Sequence, residues 1–202
     1  MKLKKYKPHN GPGKGVKKAS NPIQKLKDIR LIMKMLEDKP RDHLLFTLGI
    51  NNGIRAGDLV KLKVLDVAYA APGDSINIVE RKTGKKNIIK INKIVFKSLS
   101  NYLDHVNPND DDFLFPSRKG GGHILVTAVT RMIKTWTKEI NLKGRYGAHT
   151  LRKTWGYIQR VEYGTPFEII CKRYLHTNPA VTMRYIGVND KEVEDVLDFE
   201  IG

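Results

Sequence analysis

The chain has 202 residues, 40% of them hydrophobic, enough for one ordinary domain with a real core or for one domain plus a tail. Lysine and arginine number 37 against 21 acidic residues, and the resulting net charge of +16 points first to nucleic acid as a partner. There is no run of eighteen apolar residues and no apolar leader, which predicts a soluble cytoplasmic protein with no membrane partner; the single Cys171, among Ile169, Ile170 and Leu175, excludes an internal disulfide and reads as a packed thiol.

Residues 1–18 hold seven lysines and no acid, broken by Pro8, Gly11, Pro12, Gly13 and Gly15. They lack the apolar periodicity needed to fold and predict a basic arm, with Lys4, Lys5, Lys14, Lys17 and Lys18 as candidate phosphate contacts, unless the stretch is a linker remnant. The body predicted to fold, residues 19–202, still carries a net +9. Ser20-Asn21-Pro22 predicts the cap of a first helix with the apolar face Ile23, Leu26, Met33 and Leu36. A second helix follows over about Asp42 to Ile50 and stops at Asn51-Asn52-Gly53; a third starts at Arg55 and runs to Leu62.

Ser75 to Glu80 and Asn87 to Ile91 cluster β-formers around Lys82-Thr83-Gly84-Lys85, which predicts a hairpin. Further helices are expected at Ile94–His105, Val126–Ile140, Ala148–Arg160, Pro166–Leu175 and Pro179–Ile186. Lys119-Gly120-Gly121-Gly122 lacks the spacing of a phosphate loop and reads as a flexible connection. The fold class is therefore mainly α with a small antiparallel β-sheet in the first third of the chain, without internal repeats.

The chemistry-bearing residues lie toward the C-terminus. His149 and Arg152 are three apart in a predicted helix, on one face and about a turn apart, so both can reach one substrate group. Thr177-Asn178-Pro179 predicts a break and a fresh helix start that separates His176 from Tyr185. A phenol must lose about three units of proton affinity, roughly 4 kcal/mol, to act as a nucleophile at neutral pH. A positioned base and nearby cations can supply that. Gly53 to Val60 adds Arg55 at a helix start with Asp58 three residues on, able to hold the arginine or the neighbouring backbone. Taken singly each of these residues reads as ordinary: the Arg/Asp pair as a solvated ion pair, Lys82 as a surface lysine, either histidine as structural.

Taken together, they resemble the catalytic domain of the tyrosine recombinases, the phage integrase family. That family carries an arginine in a Thr-Gly-x-Arg-x-x-Glu/Asp segment, a hairpin lysine, a His-x-x-Arg pair, a later His or Trp, and a tyrosine nine residues after it. Arg55, Asp58, Lys82, His149, Arg152, His176 and Tyr185 stand here in that order and at that last spacing, and the resemblance spans about Asn21 to Ile186. Asn51-Asn52-Gly53 replaces Thr-Gly, and Tyr174-Leu175-His176 replaces the frequent Leu-Gly-His, so the helix end before His176 is expected to differ. Typical members carry an N-terminal core-binding domain that closes a clamp on DNA; here the basic arm is expected in its place, as in the short invertase-type members.

The resemblance implies a site-specific DNA recombinase or integrase of a mobile element, bacterial, archaeal or phage-encoded and nucleoid-associated. It cleaves and rejoins duplex DNA through a 3′-phosphotyrosyl bond without metal, ATP or other cofactor. The roles implied are Arg55, Arg152 and His176 as donors to the scissile phosphate, Lys82 on a flexible hairpin as acid for the leaving 5′ oxygen, His149 as proton acceptor, and Tyr185 as nucleophile with Tyr174 next in line. Asp58 would support Arg55. Lys134, Lys138, Lys143 and Arg145 are candidate DNA contacts, equally readable as a solvated basic face. The amphipathic end, within 188–202, is expected to dock on a neighbouring protomer in a DNA-bound tetramer or to pack on its own domain. A regulator that keeps the fold without strand exchange, and a type IB topoisomerase-like enzyme, are the other readings; His149, where the topoisomerases ordinarily carry a lysine, favours the recombinase.

Overall fold

The computed structural model describes residues 19–118, 120–186, 197–198 and 200. The arm lysines Lys4, Lys5, Lys14, Lys17 and Lys18 and most of the C-terminal docking segment lie outside the described residues. Eight helices and one hairpin follow in chain order among the described residues: α1 (Leu26–Met35), α2 (Pro40–Asn52), α3 (Ala56–Leu59), β1 (Ser75–Val79), β2 (Lys86–Lys90), α4 (Lys93–Val106), α5 (Val126–Glu139), α6 (Ala148–Val161), α7 (Phe167–Tyr174) and α8 (Pro179–Ile186).

Helix α2 is the centre of the main core. Pro40 opens it at a position where no amide donor is missed. Leu44, Leu45, Phe46, Thr47, Leu48 and Gly49 are buried in succession, on all its faces, because α4 and α6 cover it from different sides. Phe46 meets Trp136 of α5 edge to face, with ring centroids 5.9 Å apart. A Cβ on Gly49 would stand 2.7 Å from Leu151, so α2 and α6 touch backbone to side chain there. Gly53 ends α2 with φ 59, the left-handed conformation that favours glycine.

The hairpin pairs Ser75 with Lys90 through to Val79 with Lys86, antiparallel, and leaves residues 80–85 as its turn. Alternation puts Asn87 and Ile89 on the buried face and leaves Lys86, Ile88 and Lys90 exposed. Asn92 accepts from the Val95 amide to cap α4, and Asn107 closes that helix in the left-handed region. The glycine run after Lys119 lies in a turn closed by the Ser117 amide on the Gly122 carbonyl.

Two sequence expectations are corrected: the helix expected from Arg55 to Leu62 is confined to Ala56–Leu59, and the expected first cap is not one. Ser20-Asn21-Pro22 does not cap α1, whose N-cap is Lys25. Asn21 instead bonds to the loop before α6: its amide donates to the Arg145 carbonyl (2.6 Å) and its side-chain oxygen accepts from the Arg145 amide (3.0 Å). Thr150 then donates to the Asn21 carbonyl and Thr154 accepts from the Ile23 amide. The Asn21 amide, carbonyl and side-chain oxygen are used in this clasp and not at a helix end, and Ile23 is fully buried in the core rather than on α1.

A second, smaller core of Ile170, Tyr174 and Ile186, flanked by Trp155, Phe167 and Tyr185, joins α6, α7 and α8. Its tight point is Gly156, where a Cβ would collide with the Tyr174 hydroxyl and, at 2.7 Å, with Ile186. Gly156→Ala is therefore expected to lose about 1–2 kcal/mol net, because overpacking at roughly 1–3 kcal/mol exceeds the helix-propensity gain of up to about 1. The melting temperature should fall by roughly 2–4 °C for each kcal/mol. An unchanged melting temperature would mean that α7 and α8 yield freely at this contact.

Candidate active site

Four pieces of chain converge on one buried carboxylate. Arg55, the residue before α3, follows directly on the Gly53-Ile54 turn that ends α2. Arg152 projects from the middle of α6, Tyr174 ends α7, and Glu80 closes β1 at the hairpin turn. Glu80 has no exposed surface. Its Oε2 accepts from Arg55 Nη1 and, at 2.9 Å, from the Thr83 hydroxyl; its Oε1 accepts from Asn87 Nδ2 at 2.9 Å and faces Arg152 Nη1 at 3.7 Å. Burial alone raises a carboxyl's pKa, but the bonds from Asn87, Thr83 and Arg55 together with the arginine charge outweigh it and hold Glu80 below its ordinary value. It is an anion at neutral pH.

Arg152 is only 2% exposed. Nη1 donates to the Gly53 carbonyl (2.9 Å), Nη2 to the Tyr174 carbonyl (2.8 Å), and the guanidinium carbon lies 4.3 Å from the centre of the Tyr174 ring. The Tyr174 hydroxyl in turn donates to the Arg152 carbonyl, so α6 and α7 are tied by a reciprocal pair. Arg173 completes the frame with bonds to the Asn52 and Ile88 carbonyls and to Asn87 Oδ1, and burial draws it down to about 10, still charged.

Tyr185 lies against this frame. Its hydroxyl is 3.3 Å from His149 Nδ1, and its ring meets Tyr174 (5.4 Å) and His176 (5.7 Å) edge to face. The ammonium of Lys153, itself buried, lies 4.9 Å from the ring centre. Burial raises the phenol's pKa, and the opposing pull of Arg152 and Arg55 does not overcome it. The resting phenol is thus protonated, and the three units of proton affinity that chemistry needs are not removed in advance. His149 is pushed below its usual value by burial, then by Lys153, Arg152, Lys82 and Arg55, and His176 by burial and the two arginines. Both imidazoles are neutral at pH 7, and a neutral His149 beside a protonated phenol is a proton acceptor in place. His176 Nδ1 is paired with the buried Thr182 hydroxyl at 2.8 Å, which leaves Nε2 for a substrate.

Arg55, His149, Arg152, His176 and Tyr185 are therefore brought together. Lys82 is exposed in the turn between Glu80 and Thr83, near enough for its charge to act on His149. Asp58 does not hold Arg55, whose partner is Glu80. Asp58 Oδ1 accepts instead from the Arg81 amide at 3.0 Å, and its buried Oδ2 has no hydrogen-bond partner among the described residues. Tyr174 is ruled out as a second nucleophile: its hydroxyl is committed to the Arg152 carbonyl and burial raises its pKa far above the phenol value. Lys134, Lys138, Lys143 and Arg145 line a separate concavity of about 910 Å³ with Ser20, Asn141 and Tyr146, which none of the five clustered residues lines. Among the described residues no three His, Cys, Asp or Glu side chains cluster as metal ligands.

Sequence reasoning missed Glu80, Asn87, Lys153, Arg173 and Thr182. Glu80 had one readable sign, as the lone acid beside Arg81, Lys82, Lys85 and Lys86. The Tyr174-Leu175-His176 substitution has a definite outcome: Leu175 takes the left-handed C-cap conformation (φ 55) that the family's glycine would suit, a strain of roughly 1–2 kcal/mol for a side chain with a Cβ.

Comparison with known proteins places this site in context. The phage integrase family profile matches residues 25–192. A probable integrase/recombinase from Bacillus subtilis, YoeC, is 32% identical over 172 residues, covering 84% of this chain and 90% of that protein. The tyrosine recombinase XerC of Caldanaerobacter subterraneus is 28% identical over 165 residues, covering 79% of this chain but 45% of that protein. Among solved structures, the XerA recombinase superposes with a TM-score of 0.72 at 22% identity, over 89% of this chain and 65% of the other. A post-cleavage complex of the XerH site-specific recombinase on its palindromic difH substrate gives 0.73 at 16% identity, over 89% and 52%. This chain thus spans nearly all of one relative and between about half and two thirds of the others.

The depressed imidazoles make stability depend on pH. His43, His149 and His176 all bind protons more readily unfolded than folded, so their stabilising contribution is present above the unfolded value near ~6.5 and is lost as pH falls through that value toward the folded ones. The melting temperature should drop between about pH 7.5 and about pH 5, and drop less in a His149→Gln/His176→Gln double variant. A double variant with an undiminished drop would show that these two rings do not titrate with folding.

Proposed function

The chain belongs to the phage integrase family, and on that footing we propose that it is a site-specific tyrosine recombinase that cleaves and rejoins duplex DNA with Tyr185 as nucleophile. The observation that carries the assignment of residues is the 3.3 Å approach of the Tyr185 hydroxyl to a neutral His149, beside two guanidiniums held on one carboxylate.

The scissile phosphate enters beside Arg55 and Arg152. Arg55, one-fifth exposed, meets it first; Arg152 is covered, with Tyr185 among the groups acting on it, so the phosphate takes over the guanidinium in competition with the phenol. The Tyr185 oxygen attacks phosphorus in line while its proton passes to His149. The P–O5′ bond breaks, and Lys82 gives the departing oxygen its proton. Charge on the non-bridging oxygens is met by Arg55, Arg152 and His176 Nε2. The 3′-phosphotyrosyl ester keeps the energy of the broken bond, so a 5′ hydroxyl of a partner duplex reverses the step with no external energy source.

Duplex DNA is the partner, and strand exchange between two duplexes calls for several protomers, four in the simplest synapse. The basic arm and the concavity around Lys134, Lys138, Lys143 and Arg145 are proposed to lie along phosphates, with residues 19–202 as the catalytic domain and 188–202 as its link to a neighbour. Among the described residues no helix is long and apolar enough to cross a membrane, in keeping with work on DNA in the cytoplasm.

The deciding experiment is a suicide duplex that traps the covalent adduct. Tyr185→Phe is expected to abolish the protein–DNA band and leave duplex affinity within a few-fold, and Arg152→Ala to slow cleavage by about 10²-fold or more, with lysine there rescuing only in part. A shifted complex without a covalent band in the wild type would make the protein a DNA-binding regulator. Deleting residues 1–18 should flatten the dependence of log affinity on log salt by several units, about 0.9 for each phosphate released, and leave single-turnover cleavage of saturated DNA near wild type. A large loss of cleavage at saturation would give the arm a positioning role beyond charge.

A further inference from the structure

Lys82 lies between two anchored neighbours. On one side the Arg81 amide donates to Asp58 Oδ1. On the other, the Thr83 hydroxyl donates to Glu80 Oε2, the same oxygen that receives Arg55. The turn is closed beneath them by the Glu80 amide on the Lys85 carbonyl (2.9 Å) and the Gly84 amide on the Glu80 carbonyl (2.8 Å). Thr83 Oγ1 also accepts from the Lys85 amide at 3.3 Å, and Asn87, which holds the other Glu80 oxygen, is itself gripped by Arg173. The backbone around Lys82 is fastened from the arginine side, which departs from a freely swinging hairpin.

The two fastenings differ in kind. Asp58 sits one turn into α3, whose cap is Arg55, so it fixes the tip to the element that carries the first arginine. Glu80 is wholly buried, faces both arginines, and would leave two cations without compensation if lost. One carboxylate thus sets the spacing between the guanidiniums that grip the phosphate and the turn that presents the acid for the leaving oxygen. We infer that Glu80 is a positioning residue that couples Arg55 and Arg152 to Lys82 through the Thr83 hydroxyl, so that phosphate grip and leaving-group protonation are held in one register.

This rests on the recombinase reading, and the test separates the two. Single-turnover cleavage is measured with wild type, Thr83→Val and Glu80→Gln, on a natural phosphodiester and on one with sulfur at the bridging 5′ position, whose thiolate leaves without a proton. Thr83→Val cuts the link to the turn and leaves the charges intact. It should cleave the natural bond about tenfold slower, part of the roughly 10²–10⁴ that a placed acid supplies, and return to the wild-type rate on sulfur. Glu80→Gln should lose more on the natural bond and recover only in part on sulfur, because the arginines are disturbed as well. Wild-type cleavage of the natural bond by Thr83→Val, or an equal deficit on both substrates, overturns the coupling, and this variant decides alone if Glu80→Gln does not fold. Absence of an adduct from the wild type on either substrate sinks the recombinase reading itself.

Discussion

The carboxylate of Glu80 is the point on which the site's geometry depends. Gathering Arg55, Arg152, Arg173 and Lys153 in a space where Arg152 and Lys153 are almost without solvent is costly, since the lost hydration of each cation must be replaced. For the arginines, one anion whose Oε2 accepts from Arg55 and Thr83 and whose Oε1 accepts from Asn87 and faces Arg152, together with backbone carbonyls from Gly53, Asn52, Ile88 and Tyr174, supplies that replacement; Lys153 lies over the Tyr185 ring. These carbonyls come from the end of α2, from β2 and from the end of α7, so the same bonds that neutralise charge also fix α2 and α7 to α6 through Arg152, and α2 and β2 to α7 through Arg173. Electrostatics and topology are one constraint here.

Helix ends do much of this work. The left-handed turn at Gly53 frees a carbonyl at the end of α2, and the strained turn at Leu175 does the same after α7; Arg152 takes the Gly53 carbonyl and the carbonyl of Tyr174. The Tyr174 ring packs against both the Arg152 guanidinium and the Tyr185 ring, with its hydroxyl bound back to α6. The strain at Leu175 is offset by this set of contacts, and it places His176 at the mouth of the site with one nitrogen already paired to Thr182.

The field inside the site is tuned against spontaneous reaction. Burial keeps the Tyr185 phenol protonated while burial and nearby cations keep His149 and His176 neutral, so the proposed nucleophile rests in its unreactive form. An anion beside the arginines would offset the cations that lower both His149 and the Tyr185 phenol, raising the proton affinity of each.

Much of this protein was legible along the chain. The hairpin, α2 and the five later helices fall within about two residues of where periodicity, Pro179 and the Asn51-Asn52-Gly53 stop put them, because these cues act within a turn or two of the backbone. The order and spacing of Arg55, Lys82, His149, Arg152, His176 and Tyr185 were legible too, as a family resemblance, and the fold gathers five of them at one place. What the sequence could not decide is who pairs with whom across long separations. Asp58 is three residues from Arg55, yet the arginine's partner is Glu80, 25 residues away; Asn21 looks like a helix cap and is bound to Arg145, 124 residues on. Local spacing sets helices and turns because those bonds close within a few residues. The pairing of buried charges and the protonation of Tyr185 and His149 arise only when packing expels water, a property of the assembled core and of no segment within it.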